Sequence, residues 1–309
     1  MSSREVVGWV AFVDSIAPGG RADDLRVLIE RARRLRCTSI ALRTGAAGNI
    51  DVGSHRNNVP ALDLIAAIKD AGMKVKVWHF EYAAHPTASR SILERWVEHA
   101  DEVIINAEFE YIAASRAQAT TLVNDLRAMG FPRVTHAPPD YAGARGDGAL
   151  AVLDELCDAA YPQVYSFEHD DRGATYHLDA VRSLYLKREA TIGLGKVSPI
   201  GCTYRPRYRG FDANKRPIPI KAIGDQRVAD DVVAFLTHPW TMASECVHLY
   251  SIDALTFAGE GGDAVLSAVE AMPSDDWLQK PIVFGDTSEI PNLGDFLASL
   301  GENTRRLYA

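Results

Sequence analysis

From Val6 to Ala271 the chain alternates short β-rich runs with amphipathic helical patterns, almost without a break. Strand character falls at Val6–Asp14, Thr38–Thr44, Lys74–Tyr82, Glu102–Glu110, Arg133–Ala137, Ala159–Ser166, Ala190–Lys196 and Glu245–Ile252. Helical spacing falls at Ala22–Arg36, Pro60–Ala71, Thr87–Ala100, Arg116–Met129, Gly148–Cys157, Tyr176–Arg188, Asp225–Leu236 and Asp263–Ala271. Gly72 and Gly130 stop two of the helices, each just before the next strand. Such alternation builds a parallel sheet covered by helices. Eight strand–helix pairs of roughly forty residues each predict a closed (β/α)8 TIM barrel. A doubly wound open sheet competes with it and needs no such even count. The expected organisation is a single catalytic domain over 1–273, with 274–309 as a short C-terminal extension packed on the barrel.

Apolar residues make up 47% of the 309-residue chain and charged residues 24%, which suits a globular protein with a large core and excludes disorder as its main state. With 33 basic against 41 acidic side chains the net charge is −8, which argues against a nucleic-acid partner. No stretch approaches the ~18 apolar residues of a membrane span. The start, Met1-Ser2-Ser3-Arg4-Glu5, lacks the layout of a secretory signal, so a cytoplasmic protein is expected. Cys37, Cys157, Cys202 and Cys246 lie far apart and read as reduced core thiols.

One segment breaks the rhythm. Lys196 to Ile223 reads as a long loop after strand seven, with Lys196, Arg205, Arg207, Arg209, Lys215, Arg216 and Lys221 against the single acid Asp212. In a barrel such a loop lies on the C-terminal face, where active sites sit. It is expected either to close over an anionic part of a substrate or to be solvated.

Strand four carries the most chemistry. Alternation sends Val103, Ile105, Ala107 and Phe109 toward the helices and Asn106, Glu108 and Glu110 into the barrel. Two carboxylates about 6–7 Å apart on one face repel each other and raise the proton affinity of one, as a general acid requires. The plainer alternative is a strand-end Glu110 paired with a basic neighbour. In strand six, Gln163 and Tyr165 share an inward face, where they could hold a polar substrate group or sit as satisfied core residues. Asp14 ends strand one, Arg43 ends strand two, Trp78 and Glu81 end strand three, and Tyr250 lies in strand eight. With Tyr82, Tyr111 and Tyr165, the aromatics at these strand ends suit stacking on sugar rings.

The chain holds no GxSxG elbow, HExxH, P-loop or GxGxxG after a first strand. His79, Glu81, Glu108, Glu110, His136 and Asp140 could gather at the mouth as a metal site, although no ligand spacing supports one. Neither a cofactor nor a metal is expected.

The segment Asn106-x-Glu108-x-Glu110-Tyr111 resembles the strand-four signature of chitinase-type glycosidases of family eighteen. Gln163-Val164-Tyr165 and Leu249-Tyr250-Ser251 resemble their strand-six Gln-x-Tyr and strand-eight Leu-Trp-Ser. Arg43 and the run Gly72 to Phe80 are similar to the muramidases of family twenty-five. The resemblance implies a barrel acting on N-acetylated sugars, with the proton donor at the end of strand four. Asn106 and Glu108 stand where the family has aspartates, and Tyr250 stands where it has Trp, which allows an inactive or repurposed barrel.

The expected function is therefore a glycosidase cutting an amino-sugar glycan, with Glu110 as general acid, Glu108 orienting it or ionising against it, and Tyr165 stabilising the charge that develops. Asn106, Gln163, Arg43, Trp78, Glu81, Tyr111, Tyr250 and Asp14 are the expected substrate contacts. Two alternatives stay open: a glycan-binding or structural barrel without catalysis, of the kind found in phage particles, and a metal-dependent isomerase or hydrolase using His79, Glu108, Glu110 and His136.

Overall fold

A computed structural model describes residues 4–11, 22–46, 62–81, 86–107, 111, 114–139, 148–165, 172–186, 194–206, 208–211, 216–219, 221–253, 259–273 and 277–278. The barrel strands are β1 (Glu5–Val10), β2 (Ser39–Ala46), β3 (Lys74–Phe80), β4 (Glu102–Asn106), β5 (Val134–Ala137), β6 (Gln163–Val164), β7 (Ile200–Cys202) and β11 (Cys246–Tyr250). They form one parallel sheet in the order β5-β4-β3-β2-β1-β11-β7-β6. Bridges between His136 and Ala160 and between Pro139 and Gln163 join its two ends, so the sheet closes on itself. The result is a (β/α)8 TIM barrel.

The covering helices are α1 (Ala22–Arg34), α2 (Leu62–Asp70), α3 (Pro86–Leu93), α4 (Arg116–Met129), α5 (Ala149–Leu156), α6 (Ala174–Leu186), α7 (Asp225–Thr237), a short α8 (Pro239–Ala243) and α9 (Gly262–Ala271). Helix α4 shows why these segments form where they do. Ser115 caps its start in a capping box with Gln118, and Gly130 ends it at φ 101°, a left-handed conformation that costs glycine little. Its Ala119, Leu122, Val123 and Leu126 form one buried stripe at helical spacing. Outward-facing strand residues, among them Val77, Val103, Ile105 and Val247, meet these stripes in the main core.

The seventh strand lies later than the sequence predicts. Leu194–Lys196 is a 3-10 turn, and the strand is Ile200–Cys202, paired with His248 on one side and Gln163 on the other. Residues 190–193 lie outside the described residues. Three residues next to Pro199 are too few to show a period of two, so the pattern does not reveal this strand. The stretch expected as a basic loop therefore contains β7 itself, followed by β8 (Arg205–Pro206), β9 (Tyr208–Phe211) and β10 (Pro217–Pro219). β9 pairs antiparallel with β10, and β8 with β12 (Gly259–Glu260). Arg205 is buried, whereas Lys196, Arg216 and Lys221 are exposed.

A Cβ on Gly201 would come 2.7–2.8 Å from three ring atoms of Phe235 on α7. Gly201→Ala is expected to destabilise the fold by about 1–3 kcal/mol in urea unfolding, because a packed ring cannot give that much. Trp277 and Leu278, at the start of the C-terminal segment, are tied to the residue that precedes β1. Arg4 donates to the carbonyls of Ser244 and Trp277, both at 3.0 Å, and Trp277 is fully buried. Residues 279–309 of the expected extension lie outside the described residues.

Candidate active site

Three layers fill the barrel, as alternate residues on each strand point inward. At the N-terminal end the layer is ionic. Lys76 Nζ sits 2.7 Å from Glu102 and 3.0 Å from Glu5, while Thr135 and Tyr161 donate to the other oxygen of Glu102 at 2.7 and 2.9 Å. In the middle, Trp9 Nε1 donates to His248 Nδ1 at 3.1 Å. That bond leaves the ring proton on Nε2, which faces Cys246 Sγ at 3.1 Å. Burial pushes His248 well below its ordinary value and the Cys246 thiol up to about 11, so both are neutral. Strand-end position does not point to Trp9, but the alternation of Val7, Trp9 and Ala11 assigns it to the interior.

The third layer lies at the C-terminal ends of the strands. Gln163 Nε2 on β6 donates to Asn106 Oδ1 on β4 at 2.6 Å and to the Ala137 carbonyl of β5, between them, at 3.3 Å. Beside this amide pair, Tyr165 stacks on Tyr250 with centroids 5.1 Å apart and planes 22° apart. Tyr250 meets Trp78 edge-on at 6.4 Å, and the guanidinium carbon of Arg43 lies 5.1 Å over the Trp78 ring. Trp78 is held from below by its Nε1–H bond to the Val10 carbonyl, at 3.0 Å. The peptide bond between Tyr250 and Ser251 is cis. Asp253, just beyond, accepts from the Ala11 amide at 3.1 Å and ties the eighth strand to the first.

Six expected site residues thus converge on one floor: Arg43, Trp78, Asn106, Gln163, Tyr165 and Tyr250. Glu108, Glu110 and Asp14 lie outside the described residues. On β4, Glu102, Ile104 and Asn106 take the inward parity, with Val103, Ile105 and Ala107 in the outer core.

Glu81 and Tyr111 are found elsewhere than expected. Tyr111 is 1% exposed in the core between strands and helices. Glu81 is 2% exposed, and its amide donates to the Asn106 carbonyl at 3.1 Å. Glu81 has the parity opposite to Lys76 and Trp78, and Tyr111 belongs to the outer core, so both back the floor rather than face the mouth. Burial pushes Glu81 up to about 8, while burial and the Arg43 charge push neighbouring His79 down to about 3. Of the expected metal ligands, His79 lies beside Glu81 at 3.8 Å and His136 beside Asp154 of α5 at 2.9 Å, while Glu108, Glu110 and Asp140 lie outside the described residues. Among the described residues, no group of three or more His, Cys, Asp or Glu side chains is placed to hold a metal ion. Nor is any described helix long and apolar enough to cross a membrane.

No family model matches the chain, and no curated protein does. Solved structures do. One is the PgaB (BpsB) glycoside hydrolase domain from Bordetella bronchiseptica, 12% identical with a TM-score of 0.53, covering 87% of this chain and 100% of that one. A second is GH5_18 from Streptomyces cattleya in complex with GlcNAc, 11% identical with a TM-score of 0.53, covering 88% of this chain and 82% of that one. A third is a xylanase and amylase inhibitor protein, 12% identical with a TM-score of 0.50, covering 86% of this chain and 99% of that one. At such identities the likeness establishes the fold this chain shares with them.

Proposed function

We propose that this barrel is a glycoside hydrolase that cuts an amino-sugar glycan of the chitin or peptidoglycan kind. The observation that carries the reading is the floor at the C-terminal end, where an amide pair lies beside a Trp78–Tyr250–Tyr165 aromatic surface. Aromatic faces pack against the apolar faces of sugar rings, and carboxamides match the donor and acceptor of an acetamido group. The sequence continues from this floor as Glu108-Phe109-Glu110, two residues and four residues after Asn106.

In this reading Glu110 protonates the leaving glycosidic oxygen, and Glu108, as a neighbouring negative charge, keeps that proton in place near neutral pH. Tyr165 stabilises the positive charge that develops at the ring. Arg43, Trp78, Asn106, Gln163, Tyr250 and Asp14 hold the sugar. Wild-type protein incubated with N-acetylglucosamine oligosaccharides and with peptidoglycan is expected to release reducing ends from at least one of them.

A second reading is a barrel that binds glycan without cutting it. Asn106 motivates it, since a neutral amide stands where the resembled glycosidases have a carboxylate. An inhibitor protein of the same fold gives a precedent for a barrel without hydrolysis as its named role. Saturable binding by calorimetry with no reducing ends released from either glycan would favour this reading.

A further inference from the structure

A groove of about 400 Å3 runs along α1 on the outer face of the helix layer. Leu25 and Ile29 of α1 and Ala67 of α2 supply its apolar lining, and Arg26, Glu30 and Arg33 its polar rim. Leu25, Ile29 and Arg33 follow one another at intervals of four, so a single ridge of α1 runs its length. The charges along it are unequal. Arg26 pairs with Glu30 at 3.7 Å, and Arg34 pairs with Glu270 of α9 at 2.8 Å. Exposed Arg33 has no acidic partner among the described residues.

The chain itself holds a segment that matches this groove. The described residues end at Leu278, next to Trp277, and the guanidinium carbon of Arg36, two residues past α1, lies 5.6 Å over the Trp277 ring. The chain therefore leaves the barrel beside the end of α1. Further on, Leu293, Phe296, Leu297 and Leu300 stand at i, i+3, i+4 and i+7, with Asn292 at the N-cap position and Gly301 as the stop. Asp295 falls on the opposite side of such a helix. The stretch 281–302 carries four acidic side chains and no basic one, the complement of Arg33. Fourteen residues separate Leu278 from Leu293. Extended, they reach about 45 Å, whereas the groove from Arg36 back to Leu25 measures about 16 Å along the helix.

We propose that residues 293–300 dock as an amphipathic helix in the α1 groove of their own barrel, with the Leu293–Phe296–Leu297–Leu300 face on Leu25, Ile29 and Ala67. Eight residues are too few to hold a helix in water, so burial of this face is what stabilises it. A tether of this length keeps the segment near its groove at about millimolar effective concentration, which favours it over a second copy. The docking goes beyond the glycosidase reading and stands whether or not a glycan is cut, because the groove lies outside the barrel.

The full chain carrying p-benzoylphenylalanine in place of Phe296 tests it. Irradiation is expected to give an adduct with residues 25–34 or 62–70 in the monomer band, read by peptide mass spectrometry. Arg33→Glu in the same chain is expected to lower the yield several-fold. Adducts confined to a dimer band would assign the groove to a second copy and overturn the proposal, as would adducts elsewhere on the barrel or none. Should the labelled chain fail to fold, hydrogen exchange on the wild-type protein decides. The amides of residues 296–300 are expected to exchange about tenfold or more slowly than in an unfolded chain, and to lose that protection in Ala67→Glu. Exchange at the unfolded rate in wild type would overturn the proposal.

Discussion

Glu110→Gln is expected to lower the rate of glycan cleavage by about 10²–10⁴-fold, the usual contribution of a positioned general acid. The amide keeps the shape of the side chain and removes its transferable proton, so oligosaccharide binding by calorimetry should change little. Glu108→Gln should cost less and act differently. Removing a neighbouring negative charge lowers the proton affinity of Glu110, so the alkaline limb of the pH–rate profile moves to lower pH. Equal turnover by wild type and Glu110→Gln would remove Glu110 from the mechanism.

The largest loss of stability is expected at the opposite end of the barrel. Lys76 is 3% exposed between Glu102, also buried, and Glu5. Burial by itself opposes the ammonium charge, but the two carboxylates outweigh it and hold Lys76 above its ordinary value. Lys76→Ala leaves the buried Glu102 carboxyl without its ammonium partner, with two hydroxyl donors and the more distant Arg133, 3.8 Å away. Breaking a buried pair from one side costs about 3–5 kcal/mol. Urea unfolding should report that loss. Lys76→Met combined with Glu102→Gln should recover much of it, since the Gln carbonyl still accepts from Thr135 and Tyr161 and no charge remains buried. A Lys76→Ala loss under about 1 kcal/mol would mean that solvent reaches Glu102 and that this layer is not sealed.

The same pair explains how stability depends on pH at this end. Burial raises the Glu5 carboxyl, but Lys76 and Ser39 more than compensate, so Glu5 titrates below its ordinary value. Its contribution is present above the usual carboxylate range and is lost as pH falls through the depressed value. Glu81 runs the other way. Its affinity for a proton is raised by folding, so its contribution is full in acid and fades as pH rises toward about 8.

Much of the architecture was legible because each strand–helix pair carries two periodicities that few other folds combine. β3, buried along nearly its whole length, and α4, with its capping box and terminal glycine, fall where the pattern puts them. β7 does not, because a three-residue strand beside Pro199 is fixed by pairing with β6 and β11 rather than by its own composition. β8, β9 and β10 are equally short, and the basic residues in and around them read as a loop.

The candidate site was legible where parity was applied and misread where it was not. Asn106, Gln163 and Tyr165 were assigned inward by alternation, and the structure gathers them at the floor. Glu81 is an expected contact because it lies near a strand end, and Tyr111 because it does so and closes the Asn106-x-Glu108-x-Glu110-Tyr111 motif. Counting by twos from Trp78 gives Glu81 the outward face, and counting from Ile105 and Ala107 does the same for Tyr111. Trp9 follows from the same count along β1.

The central claim is that an amino-sugar glycan sits on the floor formed by Trp78, Tyr165, Tyr250 and the Asn106–Gln163 pair. A crystal structure of Glu110→Gln soaked with an N-acetylglucosamine tetrasaccharide tests it most directly. A sugar ring is expected packed on Trp78 and Tyr250, with its acetamido group within hydrogen-bonding distance of the Asn106–Gln163 pair. A saturated oligosaccharide seated elsewhere on the protein, with the C-terminal mouth free of sugar, would contradict it.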